Sequence, residues 1–183
     1  MAATVKRWTL EEVHSLPDDG NTYELVRGNL FVTPPPSVAH EELAAVLAGL
    51  LQPFVVEHEL GRVHRPRAVV RGLGSEVEPD LMVRAAARGA ESWSSLPLPI
   101  LVVEIASDGT RRRDLVQKRQ LYADLGIPEY WLIDGNEGSI RVIRPNEIEL
   151  IATDSILWTP QGAAEAFRLD VARYFRDALR GMT

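Results

Sequence analysis

Hydrophobic residues follow two periods along this chain, and each period predicts a different kind of element. Where they stand three or four positions apart they predict helices, over residues 9–16, 37–59, 110–125 and 167–179. The first helix begins with the capping box Thr9–Glu12, and the second has Ser37 as its N-cap. Gly126 follows the third helix and ends it. These boundaries divide the chain into helices separated by shorter extended runs.

The extended runs are rich in β-branched and aromatic residues, which predicts strands. They lie at residues 22–27, 30–33, 62–71, 77–83, 100–106, 128–134, 140–143 and 148–151. Gly28-Asn29 between the first two runs indicates a hairpin. The unbroken apolar runs 100–106 and 128–134 are typical of strands buried on both faces. The sequence therefore predicts one α/β domain over residues 1–183, with a mixed central sheet flanked by helices and preceded by a helix and a hairpin.

Charge and composition exclude several classes of protein. The formal net charge of −6 counts against a protein held on nucleic acid mainly by neutralising phosphates. The chain has no cysteine, so it has neither a disulfide framework nor a thiolate metal site. No uncharged apolar run reaches about 18 residues, the length that a membrane span requires. We therefore expect a cytoplasmic protein without a membrane partner.

Two of the apolar runs contain an acid where a buried strand should have none. Asp80 lies in the run 77–83, and Glu104 interrupts the run 100–106. Burying an unpaired carboxylate costs several kcal/mol, roughly, so a metal ion or a cationic side chain is expected beside each. If the strands are neighbours, both carboxylates can share a hard cation such as Mg²⁺ or Mn²⁺. The alternative is a salt bridge from either acid to a strand arginine.

The helix after the second acid carries three further candidates. Asp114, Lys118 and Tyr122 follow one another at intervals of four residues, which places them on one helix face. If that face covers the end of the strand with Glu104, Lys118 can balance charge or orient a water molecule beside the acids. The alternative is a surface ion pair between Asp114 and Lys118.

Taken in order, these residues resemble a known group of enzymes. Pro79-Asp80 followed by Glu104 in an apolar strand is similar to the PD-(D/E)xK nuclease superfamily, with its restriction-endonuclease-like core. The resemblance is closer still to the Uma-two family of endonucleases within that superfamily. Its motifs stand here in the expected order: YELVRG (23–28), PPPSVAH (34–40), EPD (78–80), VVEIAS (102–107), then Asp114, Lys118 and Tyr122, then GIPEYWLID (126–134).

The resemblance implies a Mg²⁺- or Mn²⁺-dependent endonuclease that hydrolyses phosphodiester bonds of nucleic acid, with DNA as the expected substrate. It implies that Asp80, Glu104 and the backbone carbonyl of Ile105 bind the metal. The superfamily places a lysine two residues after the acid, where this chain has Ala106. The resemblance implies that Lys118 supplies that function from the following helix. Glu24 and Asp114 would be further catalytic acids.

Weaker candidates concern binding of the substrate. His40, Arg111 and Tyr122 are candidate substrate contacts. Two groups of arginines are expected to border the cleft: 62, 65, 67 and 71, and the run 111–113. A homodimer with twofold symmetry would suit a DNA duplex.

A second hypothesis belongs to another class. The acidic net charge and Ala106 both favour a catalytically inactive, nuclease-fold protein that binds a partner. A fold by itself does not establish a function. Binding of Mg²⁺ or Mn²⁺ would distinguish the two hypotheses, because an inactive site does not need the metal.

Overall fold

The computed structural model describes residues 6–86, 89, 92–107, 109 and 111–182, apart from the side chains of Ser94 and Arg111. In this part of the chain the α-helices are α1 (Leu10–His14), α2 (Val38–Glu57), α3 (Arg111–Arg113), α4 (Arg119–Asp124) and α5 (Val171–Ala178). The strands are β1 (Thr22–Val26), β2 (Asn29–Thr33), β3 (Arg62–His64), β4 (Val70–Gly72), β5 (Ser75–Val77), β6 (Leu81–Arg84), β7 (Leu101–Ala106), β8 (Tyr130–Asp134), β9 (Ser139–Ile143), β10 (Leu150–Ala152), β11 (Ser155–Trp158) and β12 (Phe167–Asp170).

A six-stranded mixed sheet lies at the centre, with the strand order β10-β9-β8-β7-β6-β3. β7 and β8 pair in parallel, and the other neighbours in this sheet are antiparallel. Alternate residues of β7 enter different apolar clusters: Val103 packs with α2, α5 and Trp131, whereas Val102 packs with Tyr122 and Tyr130. The predicted mixed α/β architecture with a central sheet and flanking helices is confirmed.

The predicted N-terminal helix and hairpin are both present. The capping box at Thr9 is complete, and Thr9 accepts a hydrogen bond from the Glu12 N–H. The hairpin turn lies one residue earlier than predicted, at Arg27-Gly28, because Val26 pairs with Asn29. Both turn residues have positive φ, 50° and 80°, as a two-residue hairpin turn requires. The hairpin joins a second antiparallel sheet, in the order β2-β1-β5-β4.

Two predicted strands are each divided between the two sheets. Within the predicted run 77–83, Val77 is the last residue of β5 and Leu81 is the first residue of β6. The segment Glu78-Pro79-Asp80 connects these two strands, which belong to different sheets. Pro79 has no N–H to give to a ladder, which favours a break there. The run 62–71 likewise divides into β3 and β4 on either side of Pro66. Asp80 therefore lies just before a strand and not inside one.

The helix predicted up to Leu125 is continuous but not regular. Between α3 and α4 the residues Asp114–Lys118 form a π-helical segment. π-Helical turns are rare and are often found at functional sites. Residue 110, at the predicted start of this helix, lies outside the described residues. The irregular turn contains two of the candidate residues, Asp114 and Lys118.

The C-terminal prediction is wrong over its first four residues. Phe167–Asp170 form β12, which pairs with β11, and the helix begins only at Val171 with Asp170 as its N-cap. Side chains in β12 are alternately buried and exposed, the period of a strand. Only the part from Val171 onward follows the predicted amphipathic helix.

α2 has the length and mean hydropathy that a membrane span would need, alone among helices of the described residues. Its predicted N-cap is confirmed, since Ser37 accepts a hydrogen bond from the His40 N–H. One side of the helix is buried in the main apolar cluster, through Leu43, Ala44, Leu47, Leu51 and Val55. A core helix meets the same criteria of length and composition, so this observation is weak evidence for a span.

Candidate active site

Asp80 and Glu104 face each other at one end of the central sheet. The register pairs Leu81 of β6 with Val103 of β7, which places the residues just outside this pair, Asp80 and Glu104, opposite one another. The Ile105 N–H donates a 2.7 Å hydrogen bond to Asp80 Oδ2. Both acids line the same cleft. The sequence expectation that these two acids lie side by side agrees with this geometry.

Lys118 lies between the acids of three different elements. Its Nζ is 2.8 Å from Glu104 Oε1, 2.8 Å from Glu24 Oε1 and 3.8 Å from Asp114 Oδ1. The whole residue is only 1 % exposed. This burial excludes the alternative of a solvent-exposed ion pair between Asp114 and Lys118. The π-helical segment thus delivers a cation to the end of β7.

Glu24 reaches the site from the second sheet. It is buried, and it accepts a 2.9 Å hydrogen bond from the Glu78 N–H in the crossing segment. Glu24 Oε2 lies 3.3 Å from Arg113, which also donates a 2.8 Å hydrogen bond to Thr33 Oγ1. Although Glu24 stands in a hairpin, it is therefore not an exposed acid. The two sheets meet at Glu24.

Tyr122 orients Glu104 and does not project into the cleft. Its hydroxyl donates a 2.5 Å hydrogen bond to Glu104 Oε1, the oxygen that Lys118 also contacts. The ring is buried, with an edge contact to Tyr130 at 5.1 Å. Tyr122 is absent from the residues that line the cleft in the described chain. The weak expectation that it contacts substrate directly is not supported by this position.

His40 lies in the first turn of α2, beside the acids. Its Nε2 is 3.2 Å from Asp80 Oδ2, and both side chains are slightly exposed to the cleft, at 17 % and 18 %. Its Nδ1 is buried without a hydrogen-bond partner in the described chain. The Asp80 carboxylate raises the pKa of His40, against burial, which acts to lower it. His40 thus lies beside Asp80 where the site is accessible to solvent.

The arginines border the site less than expected. Arg67 and Arg113 line the cleft, but Arg62, Arg65 and Arg71 are not among its described lining residues. Arg65 pairs with Glu41 at 2.6 Å, and Arg71 pairs with Glu76. The division of the run 62–71 between two sheets explains this separation. The Arg111 side chain lies outside the described residues.

Arg113 is the functional candidate that the sequence did not single out. Besides Glu24 and Thr33, it contacts Asp114 at 3.2 Å and lies over the Phe31 ring at 5.4 Å. Burial acts to lower its pKa, but Glu24, Asp114 and Glu104 outweigh burial and raise it. In the sequence, Arg113 is marked only by its position next to Asp114, and nothing distinguishes it from the two arginines before it.

Burial and charge have opposite effects on the protonation of the central pair. Burial alone would lower the pKa of Lys118, but the carboxylates of Glu104, Glu24 and Asp114 outweigh it and raise that pKa above the ordinary value. Lys118 therefore remains a cation and cannot act as a base near neutral pH. Burial raises the pKa of Glu104 well above its ordinary value, although Lys118 opposes the shift. A bound cation would favour the ionised form of Glu104.

The oxygens that remain available suit a hard cation. Glu104 Oε1 and Asp80 Oδ2 carry the described hydrogen bonds, whereas Glu104 Oε2 and Asp80 Oδ1 have no described protein partner. Mg²⁺ commonly takes one or two carboxylates and completes its octahedron with water or phosphate oxygens. No cluster of three or more His, Cys, Asp or Glu side chains in the described chain is arranged as a metal site. Two carboxylates, those of Asp80 and Glu104, are the number that Mg²⁺ commonly takes from a protein.

The cleft above these residues has a volume of about 1080 Å³. Its lining includes Asp80, Glu104 and His40, which we call the floor. It also includes two groups that we call the walls: Pro34–Pro36 with Val32, and Leu179 with Met182. Such a volume lies slightly above the usual range for small-ligand pockets, about 300–1,000 Å³. The cleft is therefore large enough to take a segment of substrate beside the acids.

This fold and this cluster of acids with a buried lysine define a restriction-endonuclease-like α/β protein. The family model described as "Putative restriction endonuclease" (Uma2) matches residues 10–172, and the chain belongs to that family. The chain is also similar to a solved structure from Anabaena variabilis ATCC 29413, described as "a putative nuclease belonging to DUF820". The TM-score is 0.77 with 20 % identity, over 94 % of this chain and 99 % of that one. No curated protein gives a significant match. Family membership supports a nuclease-like function.

Proposed function

We propose that this protein is a metal-dependent endonuclease of the PD-(D/E)xK type that hydrolyses phosphodiester bonds of DNA. The observation that carries the proposal is the position of Lys118, which is 2.8 Å from both Glu104 and Glu24 at the end of β7. A lysine from the following helix thus stands beside the acid, where the superfamily would place one two residues after it, here Ala106. Family membership is consistent with this proposal.

Asp80 and Glu104, with the backbone carbonyl of Ile105, would hold Mg²⁺ or Mn²⁺. When bound, the metal would polarise the phosphodiester and stabilise the charge that develops on it. Glu104 is held for this purpose by Tyr122 and Lys118, which fix one of its oxygens. Asp80 is fixed by the Ile105 N–H in the same way.

The remaining residues balance charge at the site and orient a water molecule or a phosphate oxygen. An ammonium has three N–H donors, and Glu104 and Glu24 take two of those on Lys118. Its third N–H is left to orient a water molecule or a phosphate oxygen, since Asp114 is 3.8 Å away. Glu24 and Asp114 keep Lys118 protonated, and Arg113 partly balances their charge. His40 would contact the substrate from the accessible floor, next to Asp80.

The test combines metal binding with cleavage. Calorimetry with Mg²⁺ and Mn²⁺ on the wild type should show binding that Asp80→Asn and Glu104→Gln abolish, and cleavage of plasmid or oligonucleotide should be lost with it. Glu147→Gln is the matched control, because it also replaces an acid with an amide but lies outside the cleft. Binding of metal that survives both site variants would contradict the proposal.

One observation favours the alternative, a catalytically inactive nuclease-fold protein that binds a partner. Among the described cations that line the cleft, Arg67 is exposed and lies 3.4 Å from Asp18, Arg113 is half-buried and paired with Glu24, and Lys118 is buried and paired with Glu104. Wild-type protein that neither binds Mg²⁺ or Mn²⁺ nor cleaves nucleic acid would establish this alternative. A cytoplasmic location and a homodimer stay predictions from the sequence.

A further inference from the structure

The proposed reacting groups expose very little surface to the cleft. Glu24, Glu104, Asp114 and Lys118 are each no more than 3 % exposed. Only the Asp80 and His40 side chains at the floor have appreciable exposure, 18 % and 17 %. A phosphate must therefore come close to Asp80 and His40, in a cleft that Pro34–Pro36, Leu179 and Met182 also line. A thin, flexible strand can adapt to such a cleft more readily than the rigid cylinder of a duplex.

The charge on the cleft leads to the same conclusion. In the described chain six acids line it, and they outnumber its three cations: Glu24, Glu41, Glu78, Asp80, Glu104 and Asp114 against Arg67, Arg113 and Lys118. Two of those cations, the buried Lys118 and the half-buried Arg113, are paired with acids of the site. Proteins hold duplex DNA by neutralising several phosphates with exposed lysine and arginine. This cleft can neutralise only the few phosphates of a short segment.

The walls suit unpaired bases. They are formed by rings and apolar side chains, and the exposed ones include Val32 at 51 % and Met182 at 41 %. The Arg113 guanidinium lies over the Phe31 ring, and both residues line the cleft. Unpaired bases can stack on ring faces without regard to sequence, and they can also pack against exposed apolar side chains. A duplex keeps its bases inside and would leave these walls unused.

We infer that the cleft takes a single-stranded segment of nucleic acid, so that the substrate is an unpaired region, an overhang or a free strand. The inference rests on the proposed nuclease function and specifies its substrate class. Single-stranded DNA and RNA share the chemistry that the cleft recognises, and the experiment distinguishes them. The few phosphates bound predict weak salt dependence, a slope of log K against log salt below about 2 in magnitude.

The experiment measures binding separately from cleavage. Fluorescence anisotropy compares labelled single-stranded DNA, the duplex of the same sequence and the matching single-stranded RNA, with Ca²⁺ and without metal. We expect the single strand to bind at least about tenfold more tightly than the duplex. Equal or tighter binding of the duplex overturns the inference, and so does a lack of binding to all three. Tighter binding of RNA than of DNA supports the single-strand inference and corrects the expected substrate to RNA.

A pair of variants locates the binding surface. Met182→Glu adds an acid to the wall of the cleft, and Ile148→Glu adds the same acid at a residue that is 97 % exposed and outside the cleft. Only the first should weaken binding of the single strand, by about tenfold; equal effects of both variants would overturn the inference. Cleavage with Mg²⁺ or Mn²⁺ is then measured on the same strands. A single-strand preference without cleavage retains the inference about the ligand and removes the nuclease function.

Discussion

The ammonium of Lys118 lies 2.8 Å from Oε1 of Glu104, and this pair joins a π-helical turn to a buried strand. Either group alone would destabilise the fold, because a buried charge left without its partner is strongly unfavourable. The pair therefore has a structural role in addition to the proposed catalytic one. Experiments on either residue have to separate these two effects.

Lys118→Ala should both inactivate and destabilise the protein. It leaves the carboxylates of Glu24 and Glu104 buried together without a cation, which should cost about 3–5 kcal/mol in the free energy of unfolding. Urea denaturation measures this loss, and cleavage with Mg²⁺ measures activity. The double variant Lys118→Met/Glu104→Gln is the control, since it removes both charges. Its loss of unfolding free energy should be smaller than the sum of the losses in Lys118→Met and Glu104→Gln. A loss below about 1 kcal/mol in Lys118→Ala would show that the pair is worth no more than a surface ion pair.

Tyr122→Phe removes one hydrogen bond to Glu104 with little change in volume. Hydrogen bonds to a charged group contribute about 1.5–3 kcal/mol, and those between neutral groups about 0.5–1.5 kcal/mol. Tyr130→Phe is a matched control, because that hydroxyl is also buried but donates to the Asp114 carbonyl at 3.2 Å. We expect the Tyr122 variant to lose more stability than the Tyr130 variant in thermal or urea unfolding. The reverse order would contradict the role of the Tyr122 hydroxyl in holding Glu104.

Two glycine substitutions should change stability in opposite directions. A Cβ at Gly61, where φ is +120°, would lie 2.1 Å from the Arg84 carbonyl oxygen, so Gly61→Ala must displace backbone. Gly49 lies within α2, and a Cβ there would have nothing within 4 Å. Gly49→Ala should therefore stabilise the protein by about 0.5–1 kcal/mol. We expect the melting temperature to fall in the first variant and to rise in the second, and a rise in both would contradict the close approach at Gly61.

Glu149 should contribute stability that depends on pH. Burial acts to raise its pKa, but hydrogen bonds from Arg141 and Arg119 outweigh burial and lower it. Because the folded protein favours the ionised form, the stabilisation is full above the unfolded pKa of Glu149 and is lost as pH falls through its folded pKa. At neutral pH Glu149→Gln should cost about 0.2–1 kcal/mol, the range of exposed ion pairs. Unfolding measured at neutral and strongly acidic pH should show this difference shrink, and a constant difference would contradict the assignment.

Asp80 and Glu104 could be predicted as site residues because each is an acid within an apolar run of the sequence. Glu104 stands inside a run of apolar residues, and it needs a partner wherever that strand lies in the fold. Lys118 followed from helical spacing, although the segment is π-helical and not regular. Arg113 could not be singled out, since its contacts with Glu24 and Thr33 depend on how the hairpin packs against the helix. Such contacts are set by tertiary structure and leave no periodic signal.

The division of strands between two sheets could not be predicted for the same reason. Residues 77–83 give one continuous strand pattern, yet β5 pairs with β1 and β6 pairs with β7. The choice of partner is made by residues far away in the chain, such as Leu25 opposite Glu76. β12 was missed because four residues of alternation are too few to distinguish from the helix that follows. Local pattern therefore predicted most elements but not their partners.

The π-helical turn at Asp114–Lys118 makes the site sensitive to residue number as well as residue type. Its extra residue per turn sets the angle at which Lys118 leaves the helix, and an α-helical residue advances by about 100°. Deleting the exposed Gln117 would leave every candidate side chain in the sequence. It would nevertheless turn the helix after it by roughly that angle and take either Lys118 or Asp114 away from Glu104. Substitutions on the outer side of this turn should be tolerated, whereas a change in its length should not.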